Sequence, residues 1–313
     1  MYNEDIKEAY INDRKENSTS EGTLNQIGVY FKICEEFEVE SQKDIALFTT
    51  AEIIGVYKTF STPSLAFLKN LNSQLIQYTD WWRNNGMLPD NQNHFREINI
   101  SILEQCLNVH LLNATIVTRK ELLKEIIDME RYEPFERFII LALFEGIRGR
   151  EFEDLRNLYP SDFKDYKVKL YSGKEYEVSS KLVELAEESA ETFVYYTSDQ
   201  KKRWFDPFDS RCLKRVKTEC ANNEKRDYER REKLFIAKRL KRIKDDGYLF
   251  IGSNELKESG RIEYIKNLMA IHNLSAEECL KKFPEIQERF GHIDSVLQYC
   301  RLYQNMLNGL PVK

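Results

Sequence analysis

Residues 138–158 read FIILALFEGIRGREFEDLRNL, and no other stretch constrains the fold as much. The apolar run from Phe138 to Phe144 must be buried as a helix, and Gly146 breaks it. Arg148 follows two residues on, Glu151 three after that, and Leu155 and Leu158 imply a second apolar-periodic helix. An arginine at such a helix-to-helix corner is well placed to hold a phosphate, because guanidinium pairs with phosphate oxygens in bidentate fashion. The plainer alternative is a buried helical hairpin in which Arg148 pairs with Glu151.

The rest of the 313-residue chain can surround that corner with a core. It is 42% hydrophobic and 32% charged, with only twelve glycines and seven prolines. One large or two medium domains are expected, and the abundance of Leu, Glu, Lys and Ile points to a mainly α protein. No apolar run approaches the roughly eighteen residues of a membrane span, and MYNEDIKEAY is too acidic for a signal peptide. A cytoplasmic protein without membrane contact is expected. Six cysteines are scattered without a C-x-x-C pair, and no two of the four histidines have H-x-x-x-H spacing. Neither a disulfide framework, a metal site nor a cofactor is expected.

The net charge of −5 conceals an asymmetry. Residues 201–244 hold seventeen Lys or Arg against seven Asp or Glu, a local +10 that leaves −15 on the remainder. Either a basic contact surface or a solvated lysine-rich helix has this signature. Lys214, Arg215, Lys238 and Arg239 are its candidate contacts, and aromatics from Trp204 to Phe235 are interleaved with them.

Along the chain, residues 1–20 read as polar and frayed, with a short helix over Tyr2–Tyr10. Helical periodicity begins near Leu24. Thr49–Glu52 reads as a capping box, and Ser61-Thr62-Pro63 as the start of a helix ending at Trp81-Trp82 before Gly86. Residues 1–90 form a helical domain in this reading, 91–117 a linker with a short helix around Ser101–Leu107, and 118–313 a second domain opening on a capping box at Thr118–Glu121. KVKLYSGKEYEV, from Lys167 to Val178, reads as two strands around Ser172-Gly173-Lys174. Residues 181–196 read as an amphipathic helix, Gly247–Phe250 as a short strand, and the remainder as helices closing on Pro284–His292.

Together these segments resemble the tyrosine recombinase (phage integrase) family. Gly146-Ile147-Arg148, Glu151 and Phe152 match its first arginine box, G-[LI]-R-x-x-E-[LF]. Thr118–Leu122 matches the T-x-x-E-L opening of its catalytic domain, and Ile286–His292 its I-Q-x-x-[LF]-G-H motif. The resemblance implies a core-binding helical domain, an α-rich catalytic-like domain with a small β-hairpin, and double-stranded DNA as partner. It also implies a hairpin lysine placed as general acid, with Lys174 the nearest match and Lys169 the second. The third N-terminal helix would present Lys69, Asn70, Asn72, Ser73 and Gln77 to the groove. The tail Leu302–Lys313 would dock on a neighbouring copy or on its own domain.

The chemistry of that family is only partly present. Two arginines and a histidine stabilise charge on the phosphorane while a tyrosine attacks. Here no histidine has arginine three residues later, so the H-x-x-R box is absent, and its usual place falls near Met269. The nucleophile's usual position, nine beyond His292, is Arg301, with Tyr299 and Tyr303 two residues to either side. Arg148 and His292 remain, as vestigial catalytic candidates alongside Lys174, Tyr299 and Tyr303. One reading is therefore a sequence-specific DNA-binding protein on an inactive scaffold. Its overall similarity to the repressors of SPβ-type Bacillus phages implies a regulator that maintains lysogeny, with a small protein or peptide antagonist left open. The alternative is an active integrase that uses Tyr299 or Tyr303 and recruits Arg261 or Arg289. A helical protein-interaction module is the third.

Overall fold

The computed structural model describes residues 1–127, 132–197, 201–217, 225–246 and 252–308. The Gly247–Phe250 strand and the end of the C-terminal tail fall outside them. The described residues are mainly helical and divide into two compact units, 1–112 and 113–313.

The first unit contains α1 (Glu4–Glu16), α2 (Glu21–Ser41), α3 (Thr50–Thr59), α4 (Leu65–Asn84) and α5 (Ile100–Gln105), and the chain leaves it along α6 (Val109–Ala114). The N-terminus is not frayed. Tyr10 is 1% exposed and packs edge-on against Phe31, Tyr78 and Trp81. Lys7 is fully buried, its Nζ 2.5 Å from Glu38 Oε2. A polar-looking segment is thus ordered by one aromatic and one buried ion pair, which hydropathy alone does not reveal. The Thr49–Glu52 capping box forms and opens α3. Ser64, whose side chain accepts from the Phe67 amide at 3.1 Å, caps α4 in place of the Ser61-Thr62-Pro63 start. Residues 91–112, expected as linker, belong to this unit: Phe95, Ile98 and Leu103 are buried in it.

The second unit opens with the Thr118–Glu121 capping box and α7 (Arg119–Leu122), which passes into a π-helical turn, Leu123–Ile127. At its centre lies α8 (Pro134–Phe144), with Phe135 and all residues from Phe138 to Phe144 buried. The apolar run is buried all round, as a helix without a polar face must be. α9 (Glu153–Arg156) is only one turn long, and Leu158 is buried beyond its end. Next, β1 (Phe163–Lys164), β2 (Lys167–Lys169) and β3 (Glu175–Glu177) form an antiparallel sheet in that order, with Val168 opposite Tyr176. α10 (Ser180–Ala190) is shorter than the 181–196 periodicity implied, because the chain turns into β4 (Val194–Tyr196), which pairs with β5 (Lys202–Trp204). α11 (Lys225–Asp245) carries much of the basic block. The C-terminal part comprises α12 (Ser253–His272), α13 (Ala276–Lys282), α14 (Glu285–Phe290), α15 (Val296–Leu302) and α16 (Gln304–Leu307). Here Ile262, Ile265, Ile286, Phe290 and Tyr299 form a second core. No helix among the described residues is long and apolar enough to cross a membrane.

One contact fixes α12 against α8. A Cβ on Gly260 would lie 1.6 Å from the Phe144 carbonyl oxygen, so the two backbones touch where only glycine fits.

Candidate nucleic-acid interface

Backbone geometry sets the corner after α8. Gly146 and Gly149 have φ of +80° and +70°, and Glu151 and Phe152 have +52° and +65°. A Cβ on Gly149 would come within 2.5 Å of the Asp154 amide nitrogen. The chain therefore turns abruptly on either side of Arg148.

Arg148 is half-buried, and its desolvation lowers its pKa. Its guanidinium lies over the Phe152 ring at 5.3 Å, and Nη1 donates to Asn254 Oδ1 at 2.8 Å. The structural pairing with Glu151 does not form; Glu151 Oε1 instead accepts from Lys233 Nζ at 2.6 Å.

Asn254 lies on the first turn of α12, and the next turns bring Lys257 and Arg261 to the same region. Burial pushes the Lys257 ammonium pKa down, Glu258 opposes that, and the nearby Arg261 and Arg148 charges add to it. A Cβ on Gly291 would sit 3.8 Å from both Lys257 Nζ and Arg261 Nη2. Arg261, 3% exposed, donates from Nη2 to the carbonyls of Phe290 and Gly291, the latter at 3.0 Å. Lys257 and Arg261 thus meet beside Gly291, with the Arg148 charge acting on Lys257; of these, the sequence singles out Arg148 and, for the integrase alternative, Arg261, but not Lys257. Asn254 and Lys257 stand three residues apart on one helical face, the interval of the H-x-x-R box, twelve residues before the Met269 region where that box was expected. The readable signal was N-E-L-K, an amide and an ammonium at that interval. A search for a literal histidine passes over it.

Lys174, exposed at the hairpin turn, donates from Nζ to the Glu288 carbonyl at 3.2 Å, and the Tyr176 hydroxyl donates to the same carbonyl at 3.0 Å. Asp154 Oδ1 accepts from the Ser172 amide at 2.9 Å, which ties the hairpin back to α9. Lys169 is exposed on β2. His292 is turned outward, its side chain 77% exposed and 3.9 Å from Asp294. Tyr299 is buried, with the Arg261 guanidinium 5.4 Å above its ring and the Tyr303 ring 4.8 Å away. Burial pushes both phenols' pKa up, that of Tyr299 far more than usual. Arg301 is exposed, and Arg289 is a packing residue, its Nε donating to the Glu145 carbonyl at 2.6 Å while its guanidinium lies over Tyr176 and Tyr264.

Three residues proposed as DNA contacts are structural. Asn72 is buried, accepting from the Tyr57 hydroxyl at 2.9 Å and donating to the Phe95 carbonyl at 3.3 Å. Lys214 donates to the Asp209 carbonyl at 2.7 Å and lies over Phe193. Arg239 is 6% exposed, with Nη1 3.3 Å from Glu136 Oε1 and its guanidinium over Phe135, Tyr195 and Phe235. In each case a polar partner claims a side chain that the helix face (Asn72) or the charge excess over 201–244 (Lys214, Arg239) assigned to the surface. Gln77 is also engaged, accepting from Arg14 at 2.7 Å. Asn70, Ser73 and Lys238 are exposed and Lys69 is half-buried; Arg215 is half-exposed, 3.4 Å from Glu232.

Comparison with known proteins agrees with the division into two units. Residues 1–84 match the family model of the MrpR N-terminal core-binding domain, and residues 116–310 that of the MrpR C-terminal catalytic domain. The SPbeta prophage-derived uncharacterized protein YopR of Bacillus subtilis (strain 168) is 25% identical over 165 residues, which cover 53% of this chain and 48% of that protein. The chain thus spans about half the length of this curated relative. Among solved structures, a lambda integrase(75-356) dimer bound to a COC′ core site aligns at 14% identity over 96% of this chain and 94% of the integrase chain, with a TM-score of 0.48.

Proposed function

The chain belongs to the MrpR family, tyrosine recombinase-like proteins of SPβ type, and we propose that it is a sequence-specific DNA-binding protein that holds a backbone phosphate without cutting it. One observation carries this reading: Lys257 and Arg261 meet beside Gly291 with the Arg148 charge close enough to act on Lys257, while Tyr299, under the Arg261 guanidinium, is buried and its phenol pKa is raised. Cations at that corner can hold a phosphate, whereas attack on phosphorus needs an accessible, activatable hydroxyl. The prophage-derived relative supports a prophage link, and within that link we read the DNA binder as a repressor that maintains lysogeny. Lys69 and Ser73 on α4 and the exposed cations of the basic block, Arg215 and Lys238, supply further contacts to the duplex.

Electrophoretic shifts over genomic fragments at several salt concentrations test the binding: a preferred fragment whose affinity falls steeply with salt is expected, and no preference at any salt contradicts it. A genome-wide map of bound sites tests the regulatory role, which promoter clusters support and a single attachment site opposes.

The arrival of Arg261 beside Tyr299 favours one second reading, residual strand cleavage through Tyr299 or Tyr303. A nicked suicide duplex decides it, since a covalent adduct lost in Tyr299→Phe or Tyr303→Phe would establish cleavage.

A further inference from the structure

Within the cationic cluster sits one carboxylate that the DNA-holding reading does not use. Glu258 Oε2 lies 3.2 Å from Arg261 Nη1, and Oε1 lies 3.6 Å from Lys257 Nζ. Its side chain is 20% exposed, and Oε2 itself is sealed from solvent with no hydrogen-bond donor upon it. Its charge also reaches Tyr299 and Tyr303, helping to hold both phenols protonated after burial itself. A carboxylate that merely stabilised α12 would be expected to collect donors along the helix. This one faces the two cations nearest Gly291.

We propose that Glu258 is the built-in counter-anion of the pocket, occupying with its own charge the place at Lys257 and Arg261 that a phosphodiester would otherwise take. This inference rests on the phosphate-holding reading of the cluster. Its consequence is a division of labour. Arg148, whose described hydrogen-bond partner is the neutral Asn254, keeps its charge for the backbone phosphate. Lys257 and Arg261 share this one negative charge, so the pocket holds DNA more weakly at this point and gathers less of the positive charge that a pentavalent phosphorus would require. Like charge repels an incoming phosphate at short range, and solvent screens this little in a half-buried site.

Removing only the charge, by Glu258→Gln, tests the idea in the full chain. Affinity for a specific and for a random duplex should rise alike by about tenfold, the size of one charge-assisted contact. The plot of log affinity against log salt should steepen by about one. Thermal unfolding in inorganic phosphate, against chloride at matched ionic strength, should show stabilisation in Glu258→Gln that exceeds the wild type's. Unchanged or weaker DNA binding by a folded Glu258→Gln, with no gain in phosphate stabilisation, overturns the proposal. If neither protein binds DNA but the variant gains phosphate stabilisation, the counter-anion stands and the DNA reading falls. Should Glu258→Gln not fold, Glu258→Asp, which withdraws the carboxylate by one methylene, should show smaller gains in the same assays. Failure of both to fold would make Glu258 a structural residue and overturn the proposal as well.

Discussion

At the scale of single residues, the structure separates polar groups that hold the fold from those available to a ligand. Arg148→Ala should weaken binding to every duplex by a similar factor, because phosphate contacts carry no base information. One charge-assisted contact is worth roughly 1.5–3 kcal/mol, about one to two decades in affinity, and titrations against specific and random duplexes measure it. Asn72→Ala should act differently. It strips the Tyr57 hydroxyl and the Phe95 carbonyl of buried partners, so the thermal midpoint should fall, with a cost of about 1–3 kcal/mol. Selectivity between duplexes measured below the transition should stay as in the wild type. Arg239→Ala leaves buried Glu136 with Arg242, 3.5 Å away, and the Glu133 amide, and should cost about 3 kcal/mol in denaturant unfolding. Arg148 was legible because its neighbours spell an uncommon pattern. Asn72 was misread because a helix face says nothing about a polar partner reaching it from elsewhere in the chain, and Lys214 and Arg239 because a local count of charges does not say which of them are buried. Lys257 was missed because the motif is recognised by its histidine and arginine, and N-E-L-K has only their three-residue interval.

At the scale of elements, two joints carry the arrangement. Gly260 lets α12 touch the end of α8, and Gly260→Ala should push Phe144 and α12 apart at a cost of about 3 kcal/mol or more. The same shift would carry Lys257 and Arg261 away from Arg148, so phosphate-dependent stabilisation should be lost together with part of the thermal midpoint. The other joint is the start of α3, where the Thr49–Glu52 box formed as its sequence implied. Burial works to raise the Glu52 pKa, but the Lys43 ammonium and the Thr49 amide and hydroxyl outweigh it and bring it from 4.5 down to about 2. A carboxylate with a depressed folded-state pKa stabilises the fold above its unfolded value and loses that contribution as pH falls. Glu52→Gln should therefore flatten the fall in unfolding free energy between pH 4.5 and about 2, with little change in its slope above pH 5. Capping boxes and the hairpin at Gly173 were readable because local chemistry decides them. The shortness of α9, the turn from α10 into β4 and the docking of α1 are decided by tertiary partners, which is why periodicity overran or undercalled each of them.

At the scale of the whole molecule, the charge asymmetry is real but only part of it is surface. Within the basic block, Arg211 is held by Asp209 and Glu232, Lys214 by the Asp209 carbonyl and Arg239 by Glu136. The contact surface is thus smaller than a count of Lys and Arg over 201–244 implies. The mainly α architecture and its two units followed from composition and the arginine box. Their boundary did not, because residues 91–112 carry Phe95 and Leu103 into the first unit although their polar composition reads as a linker. The central claim, that this chain grips DNA and leaves it intact, meets its most direct test in a single assay. The full chain is incubated with a nicked suicide duplex carrying its preferred fragment, then resolved on native and on denaturing gels. The account predicts a salt-sensitive complex on the native gel that dissolves completely under denaturation. A denaturation-resistant protein–DNA adduct, or no complex at any salt, would contradict it.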